Sequence, residues 1–261
     1  MFNLAELDVT LAGTVFAGRL HFSPVTESTN TDALAAARTG AEHGSVWFAN
    51  EQLAGRGRGD HAWHSAAGEG LYVSVLLRPQ IPAARLPLLP LVAGLAAAEA
   101  VRAVSGLAAD LRWPNDLLIG PRKAGGILVE AKNQGSAVAF AVIGIGINVH
   151  QRAFDPSLST AATSLDLEAG RRISRQQILA ALLKSLEREA LLLLEPASGT
   201  TIPARVEQAS TWIRGRRVEV HGPQASTGVT DGLDEHGVLR VRTAEGLVIV
   251  QTGGIRAAQK S

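Results

Sequence analysis

The spacing of apolar residues along the chain predicts a mixture of helices and strands. Short apolar runs rich in β-branched residues predict strands, at 45–50, 70–78, 111–119, 122–130 and 137–149. Alanine- and leucine-rich stretches predict helices, at 32–38, 86–105, 174–194 and 201–210. The helix at 86–105 is apolar almost all round, so we expect it to be buried against the sheet. Pro114 interrupts one strand run, and because proline cannot donate to a ladder, pairing should stop or switch there.

The pattern changes after Trp212. Short β runs divided by glycine and aspartate follow, at 217–221, 228–234, 238–242 and 247–251. Four or five short strands at this spacing predict a small β-barrel that buries its own core. We therefore expect two domains, a larger one over residues 1–209 and a small one over residues 210–261.

Composition narrows the class of protein. The chain of 261 residues has no cysteine, which excludes disulfides, thiolate zinc sites and a thiol nucleophile. A net charge of +1 argues against a dedicated nucleic-acid surface. The first residues are acidic where a secretory signal is basic, and the longest uncharged stretches are broken by prolines or glycines. We expect a soluble, cytoplasmic protein that binds neither nucleic acid nor a membrane.

The segment 55–59 carries the most distinctive chemistry. Its three glycines alternate with Arg56 and Arg58. Glycine lets the backbone approach a ligand closely with its N–H groups exposed, and guanidinium groups donate in forked pairs to phosphate or carboxylate. The segment therefore predicts an anion-binding loop that can close over its ligand. A flexible, solvated loop between two strands is an equally good interpretation of this segment alone.

Ser28, Thr29 and Asn30 precede the predicted helix at 32–38. All three residue types cap helix N-termini well, and position alone favours that structural role. Their hydroxyl and amide groups are also suited to a small polar ligand bound at the start of the helix. Neither a G-x-G-x-x-G dinucleotide fingerprint nor a P-loop occurs in the chain.

Four motifs follow one another in the order typical of a known family. They are Glu-Ser-Thr-Asn at 27–30, Gln52 with Ala-Gly-Arg-Gly-Arg at 54–58, Trp-Pro-Asn-Asp at 113–116, and Lys123 with Gly-Ile-Leu-Val-Glu at 126–130 and Gly-Ile-Gly-Ile-Asn at 144–148. Through them residues 23–165 resemble a biotin protein ligase, in the form without an N-terminal helix-turn-helix domain. The resemblance implies an α+β fold: a mixed, mostly antiparallel sheet flanked by helices, as in class II synthetases and biotin/lipoate ligases, followed by a small SH3-like barrel.

The resemblance implies an ATP-dependent ligase. Biotin would react with ATP, assisted by Mg²⁺, to give biotinyl-5′-AMP, and a lysine of the biotin carboxyl carrier protein of acetyl-CoA carboxylase would then accept the biotinyl group. This chemistry needs no protein nucleophile, only the alignment of two anions and neutralisation of their charge. No protein cage for the metal is implied, since Mg²⁺ would arrive with ATP, near Asp116.

The resemblance also implies roles for individual residues. The biotin-binding residues would be Ser28, Thr29, Asn30, Gln52, Arg56, Gly57, Arg58, Arg112, Gly126 and Gly146. The nucleotide-binding residues would be Arg58, Asn115, Lys123, Asn148 and Phe154. The catalytic residues would be Arg56, Arg58, Arg112 and Asp116. Asp116 is the hypothesised acceptor of the lysine's proton, and a carboxylate that holds the proline turn is the alternative.

Two places depart from the family's pattern. Asp60 and His61 stand where the family has glycine and arginine, and the charge of Asp60 could weaken loop closure or pair with an arginine. Arg112 stands where the family has lysine before Trp113, which keeps the charge but not the point-donor geometry. Both departures bear on rate and loop behaviour rather than on the class of reaction.

Other interpretations remain open from the sequence. A lipoate–protein ligase shares the fold class and the adenylation chemistry, although the loop and Arg-Trp-Pro-Asn-Asp favour biotin. A biotin or adenylate sensor that no longer turns over is the non-enzymatic alternative. Arg214, Arg216 and Arg217 form a basic run that is either a solvated edge or a contact to nucleotide phosphate. An exposed sheet edge offers a surface for a homodimer.

Overall fold

The computed structural model describes residues 2–59 and 61–258. Its helices are α1 (Leu4–Thr10), α2 (Thr29–Arg38), a 3₁₀ helix (Ala83–Leu88), α3 (Leu89–Ser105), α4 (Leu165–Ala169), α5 (Arg175–Leu192) and α6 (Ser198–Ala209). Its strands are β1 (Leu20–Ser23), β2 (Val46–Ala49), β3 (Gly70–Leu77), β4 (Ala109–Arg112), β5 (Asp116–Ile119), β6 (Arg122–Gln134), β7 (Ala137–Asn148), β8 (Arg214–His221), β9 (Ser226–Leu233), β10 (Leu239–Thr243), β11 (Gly246–Val250) and β12 (Gly254–Ala257).

A seven-stranded sheet with the order β1-β2-β3-β7-β6-β5-β4 forms the larger part of the protein. β1 pairs with β2 in parallel, and every other neighbouring pair in this described sheet is antiparallel. The mixed, mostly antiparallel α+β fold is therefore confirmed. The short edge strand β1 and the helix α1 were not predicted, because neither has enough residues to show a clear period.

The central strand β7 has different residue types on its two faces. Gly144 and Gly146 alternate with buried isoleucines, so one face is apolar and packed and the other has no side chains at these positions. Gly126 of β6 lies directly opposite Gly146 in the ladder. The middle of the sheet is therefore a flat backbone surface on which other side chains can pack closely.

Helix α3 is the buried helix that the sequence predicts at 86–105. It packs against α5 and against strands β4–β7. Pro90 lies in its first turn, where no N–H is needed, and Gly106 ends it with a φ of 79°. The helical stretch Ala83–Ser105 is long and apolar enough to cross a membrane by length and composition alone, but most of it is buried inside the protein.

Pro114 marks a change of strand pairing, as predicted. β4 ends at Arg112, β5 begins at Asp116, and these two residues pair across the turn between them. Their side chains are thereby held on neighbouring strands, within reach of each other.

The C-terminal strands form a second, antiparallel sheet with the order β11-β10-β9-β8-β12. It buries its own apolar residues, Val218, Val220, Leu239, Val241 and Val250. The indole Nε1 of Trp113 donates to the carbonyl of Gly237 at 3.1 Å, which ties this sheet to the turn after β4. The second sheet is consistent with an SH3-like domain, and the boundary between 209 and 210 stays a prediction.

Candidate active site

A cleft of about 620 Å³ lies on the glycine-bearing face of the large sheet. It is lined by every residue to which the sequence assigned a binding or catalytic role, from Ser28 to Phe154. The structure thus brings these residues together, while their individual roles stay predictions. The C-terminal sheet contributes a further part of the wall through Gly253 and Arg256.

The floor of the cleft requires glycine. A Cβ on Gly144 would lie 2.9 Å from Cγ of Asn30 and still closer to its amide oxygen. A Cβ on Gly146 would lie 2.5 Å from Nε1 of Trp63. Gly126 is less crowded, since its Cβ would lie in tight contact with the Trp63 ring at 3.2 Å. Asn30 and Trp63 therefore pack directly on the sheet backbone and form the sides of the cleft.

A chain of hydrogen bonds joins polar side chains at one end of the cleft. The backbone N–H of Thr29 donates to Oε1 of Gln52 at 2.9 Å, and Nε2 of Gln52 donates to Oγ of Ser65 at 2.8 Å. The hydroxyls of Thr29 and Ser74 lie 2.8 Å apart, and Ser74 donates to Oδ1 of Asn30 at 2.6 Å. Gln52 and Ser74 hold this end of the cleft in one arrangement.

The position of these residues in α2 differs from the simplest expectation. Ser28 is the N-cap of α2 by backbone geometry, but its side chain makes no capping hydrogen bond within the described residues. Thr29 and Asn30 lie inside the first turn with buried side chains bonded to other elements. A capping role is therefore wrong for Thr29 and Asn30, and their polar atoms belong to the cleft.

Glu130 determines which group donates at each step of the hydrogen-bond chain that joins Thr29, Ser74 and Asn30. A carboxylate only accepts, so Nδ2 of Asn30 donates to Glu130, at 2.9 Å. Oδ1 of Asn30 then accepts from Ser74, whose only proton is used. The single hydroxyl proton of Thr29 therefore goes to Ser74, at 2.8 Å, or to Oε1 of Gln52, at 3.1 Å. The hydroxyl oxygen of Thr29 is left with acceptor capacity at the wall of the cleft.

The glycine-arginine loop folds back on itself and contacts both the large sheet and the C-terminal domain. Arg56 forms a two-pronged ion pair with Glu130 of β6 at 2.5 and 3.1 Å, and Arg58 donates to the carbonyl of Gly253, the residue before β12. The N–H of Gly57 donates to the carbonyl of His61 at 2.7 Å. The expectation that the loop glycines expose their N–H groups is therefore wrong for Gly57 in this conformation. Asp60 lies outside the described residues.

Asp116 lies between two cations. Oδ2 accepts from Nε and Nη2 of Arg112 at 3.0 and 2.6 Å, and Oδ1 lies 2.5 Å from Nζ of Lys123. Burial alone would raise the pKa of Asp116, but Lys123 and Arg112 outweigh it and hold the pKa below its usual value. The carboxylate is therefore ionised and has both oxygens engaged.

The planar guanidinium of Arg112 donates to several partners at once, which the single ammonium group of a lysine could not do in the same way. Besides Asp116, it donates to Oγ1 of Thr160 at 3.0 Å, and its guanidinium lies 5.3 Å from the ring centroid of Trp212. Only 7% of the residue is exposed. Arg58, which lines the same part of the cleft, is half-buried. Desolvation lowers the pKa of its guanidinium, and the negative charge of Asp116 opposes that shift.

Asn115 forms two hydrogen bonds with the backbone of Ile127. Its Nδ2 donates to the carbonyl of Ile127 at 2.8 Å, and the N–H of Ile127 donates to the carbonyl of Asn115 at 2.9 Å. These reciprocal bonds fix the turn between β4 and β5 against β6. A role for Asn115 towards the nucleotide stays a prediction.

The segment after β7 forms another part of the wall. Nδ2 of Asn148 donates to the carbonyl of Thr163 at 3.0 Å, which leaves its Oδ1 for other partners. Phe154 lies in the following loop and lines the cleft, as does Gln151. Gln151 was missed from the sequence because it belongs to none of the quoted motifs, although its spacing of three from both Asn148 and Phe154 was a usable signal.

The sequence left open a phosphate contact from the C-terminal domain through its basic run, but it did not single out Arg256. Arg256, which lines the cleft, donates to Oγ of Ser159 at 2.8 Å. The basic run that the sequence singled out lies elsewhere: Arg214 pairs with Glu207 and Asp231, and Arg216 lies 4.4 Å from the centroid of Trp212.

A helix-flanked mixed sheet, with a cleft that combines a neutral polar network and a cationic cluster, defines a synthetase-like ligase domain. Residues 22–148 match the model of the "Biotin/lipoate A/B protein ligase family". The chain is 32% identical to the "Bifunctional ligase/repressor BirA" of Bacillus subtilis, over 96% of this chain and 78% of that protein. It is 34% identical to the "Biotin--[acetyl-CoA-carboxylase] ligase" of Mycobacterium tuberculosis, over 88% and 85%.

Solved structures agree with these relatives. The biotin protein ligase of Aquifex aeolicus in complex with biotin and ATP superposes with a TM-score of 0.79 at 28% identity, over 92% of this chain and 100% of that one. The chain belongs to the biotin/lipoate A/B protein ligase family.

Proposed function

We propose that the protein activates biotin with ATP as biotinyl-5′-AMP and transfers the biotinyl group to a lysine of the biotin carboxyl carrier protein of a carboxylase. The observation that carries this proposal is the division of one cleft into a neutral hydrogen-bonding end and a cationic end. The names of the relatives, and the biotin and ATP bound in the Aquifex aeolicus structure, support the same substrates.

The neutral end suits the ureido group of biotin. That group carries no charge and offers one carbonyl acceptor and two N–H donors. The hydroxyl oxygen of Thr29 can accept from a ureido N–H, because its own proton is used in a hydrogen bond to Ser74 or to Gln52. Ser28, whose hydroxyl is not used for capping, is a suitable donor to the ureido carbonyl. Asn30 and Trp63 cover the glycine floor, so the ring system of biotin would lie against these two side chains.

The cationic end suits the reacting anions. Among the described residues, Arg58, Arg112 and Lys123 line this end together with the carboxylate of Asp116, which leaves a positive excess. In the first half-reaction a carboxylate oxygen of biotin attacks the α-phosphorus of ATP, the C–O–P bond of a mixed anhydride forms, and the bond to pyrophosphate breaks. Fixed cations lower the repulsion between carboxylate and phosphate and stabilise the charge that develops on the phosphate oxygens.

The residues fit Mg²⁺ only as a companion of ATP. In the described parts of the chain no group of three or more His, Asp or Glu side chains is placed to hold a metal. Asp116 has both oxygens in ion pairs, so it is poorly suited to coordinate a cation. The metal would be held by triphosphate oxygens and water, and would supply further charge neutralisation there.

The second half-reaction is attack of the carrier lysine on the mixed anhydride. The pKa of Asp116 is held low by two cations, which makes it a weak proton acceptor and supports a role in positioning Arg112 and Lys123. The proton-acceptor role stays a prediction with a direct test. If Asp116→Asn transfers biotin from preformed adenylate as fast as the unchanged protein, Asp116 is not the base.

One experiment separates the proposal from its rivals. The protein is incubated with ATP, Mg²⁺, either biotin or lipoate, and a carrier domain, and the carrier is weighed by mass spectrometry. We expect the mass of biotin on the carrier. Addition of the lipoyl mass instead would make the protein a lipoate ligase, and adenylate bound to the protein without transfer would make it a sensor.

The remaining organisation is proposed on the same basis. We expect residues 1–209 to form the catalytic domain and residues 210–261 an SH3-like domain that completes the cleft wall, in a cytoplasmic protein. The edge strands β1 and β4 of the large sheet are candidate homodimer surfaces. Sedimentation with and without biotin and ATP measures the oligomeric state.

A further inference from the structure

The guanidinium of Arg112 uses only part of its hydrogen-bonding capacity within the protein. An arginine side chain carries five N–H groups. Nε and Nη2 donate to Oδ2 of Asp116 at 3.0 and 2.6 Å, and Nη2 also donates to Oγ1 of Thr160 at 3.0 Å. Within the described residues Nη1 forms no hydrogen bond, and it is not one of the fully enclosed polar atoms. Because Arg112 lines the cleft, the N–H groups of Nη1 are left for a bound ligand.

The ion pair with Asp116 does not by itself fix the direction in which Nη1 points. Both donors that face Asp116 share one acceptor, Oδ2, because Oδ1 is engaged by Nζ of Lys123 at 2.5 Å. Two parallel bonds to two carboxylate oxygens would fix a guanidinium, whereas a group held on a single oxygen can turn about that oxygen. The ring of Trp212, 5.3 Å away, adds packing but no hydrogen bond that would stop this rotation.

The hydroxyl of Thr160 supplies a second fixed point. Since one N–H of Nη2 faces Asp116, the other N–H makes the bond to Oγ1 of Thr160. The guanidinium is therefore held from two directions by two different acceptors. Two such bonds fix its orientation, so Nη1 keeps one direction relative to the cleft.

The backbone around Thr160 is itself held by strands of both sheets. The N–H of Lys123 in β6 donates to the carbonyl of Ala161 at 2.8 Å. On the other side of Thr160, Arg256 of β12 donates to Oγ of Ser159 at 2.8 Å. Thr160 is thus anchored through both of its neighbours in the chain, and its hydroxyl is a firm partner for the guanidinium.

We infer that Thr160 is a positioning residue, which orients Arg112 so that the free Nη1 faces the reacting anions. This inference rests on the proposed function and adds to it. A donor that is already aimed at the place where charge develops stabilises that charge without having to turn during the reaction. An arginine needs the second contact more than a lysine does, because an ammonium group carries its three N–H groups around one rotating bond.

The experiment compares Thr160→Val with Thr160→Ser, and with Thr201→Val as the matched control. Valine keeps the shape of threonine and removes the hydroxyl, serine keeps the hydroxyl, and Thr201 is exposed in α6. Formation of biotinyl-5′-AMP from biotin, ATP and Mg²⁺ is followed in single turnovers by rapid quench, over a range of each substrate. Urea unfolding of each variant ensures that the rates are those of folded protein.

In Thr160→Val we expect the rate at saturating substrates to fall about tenfold, because an aimed donor has become free to turn. The half-saturating concentrations of biotin and ATP should stay within about twofold, since the charge of Arg112 remains in place. Thr160→Ser should restore the rate to within about twofold of the unchanged protein, and Thr201→Val should match it.

The same substitution in an Arg112→Lys background shows whether Thr160 acts through Arg112. There we expect Thr160→Val to cost less than about twofold, because a rotating ammonium group keeps a donor towards the cleft without a second anchor. A purely structural role for Thr160 would instead lower the rate by the same factor in both backgrounds.

Two results overturn the inference. One is a saturating rate in Thr160→Val that equals that of the unchanged protein. The other is an equal loss from Thr160→Val with arginine and with lysine at position 112, which would mean that the hydroxyl does not act by orienting the guanidinium. Failure of the proposed function is distinct: the unchanged protein would then make no biotinyl-5′-AMP at all.

Discussion

Replacement of Gly144 by alanine tests the role of the glycine floor. The added Cβ would lie 2.9 Å from Cγ of Asn30 and 3.1 Å from its Nδ2, whereas carbon atoms in ordinary contact are about 3.5–4.0 Å apart. Backbone in the middle of a sheet cannot move far, so the amide of Asn30 must move by roughly an ångström. That displacement breaks its bonds to Ser74 and Glu130.

The cost follows from the two bonds. A neutral hydrogen bond contributes about 1 kcal/mol and one to a charged group about 1.5–3 kcal/mol. Glu130 is partly exposed, so the lower end applies to it. We expect Gly144→Ala to lower the free energy of unfolding by about 2–3 kcal/mol and biotin affinity by at least about tenfold, because the order of the Thr29–Asn30 network is lost.

The assays are urea unfolding and calorimetric titration with biotin. Gly254→Ala is the control for stability, since its Cβ would meet nothing within 4 Å. The decisive comparison is a double-mutant cycle with Asn30→Ala, in which the obstructing amide is absent. If Gly144→Ala costs as much in that background as in the unchanged protein, the clash with Asn30 is not the cause and the reasoning is refuted.

Three further predictions concern the loop, the charged cluster and pH. Arg58→Gly removes the bond from the loop to Gly253, so biotinyl-5′-AMP should escape and label bystander lysines; mass spectrometry that finds label on the carrier alone would count against this. Asp116→Asn leaves the buried Arg112 without its carboxylate and should lower the free energy of unfolding by about 3 kcal/mol in urea titrations, and a cost below about 1 kcal/mol would contradict a buried ion pair. Nδ1 of His43 accepts a hydrogen bond from the backbone N–H of Arg78, and burial lowers the pKa of His43 from 6.5. Because the folded state disfavours the protonated imidazole, the contribution of His43 to the free energy of unfolding is complete above pH 6.5 and is lost as pH falls below that value. The unchanged protein should therefore lose more stability than His43→Gln between pH 7 and pH 5, and equal losses would refute the assignment.

Local chemistry explains what the sequence predicted well. The glycine–isoleucine alternation of β7, the proline at 114 and the apolar helix before Gly106 depend on backbone geometry and short periods, which neighbouring residues determine among themselves. The boundaries of the main strands and of α5 accordingly lie within a few residues of the predicted ones. The motifs also selected residues that the structure brings together around one cleft, while their roles stay predictions.

Only the tertiary structure determined which residues far apart in the sequence form hydrogen bonds with each other. Asn30 meets Ser74 and Glu130 across 44 and 100 residues of chain, and Arg58 meets Gly253 across 195. Nothing in the neighbourhood of Thr29 or Asn30 in the sequence distinguishes a helix cap from a buried binding residue, because both roles use the same polar atoms. Which role is taken depends on whether other strands bring donors and acceptors to those atoms, and strand pairing over such separations follows from the packing of the whole chain rather than from any local period.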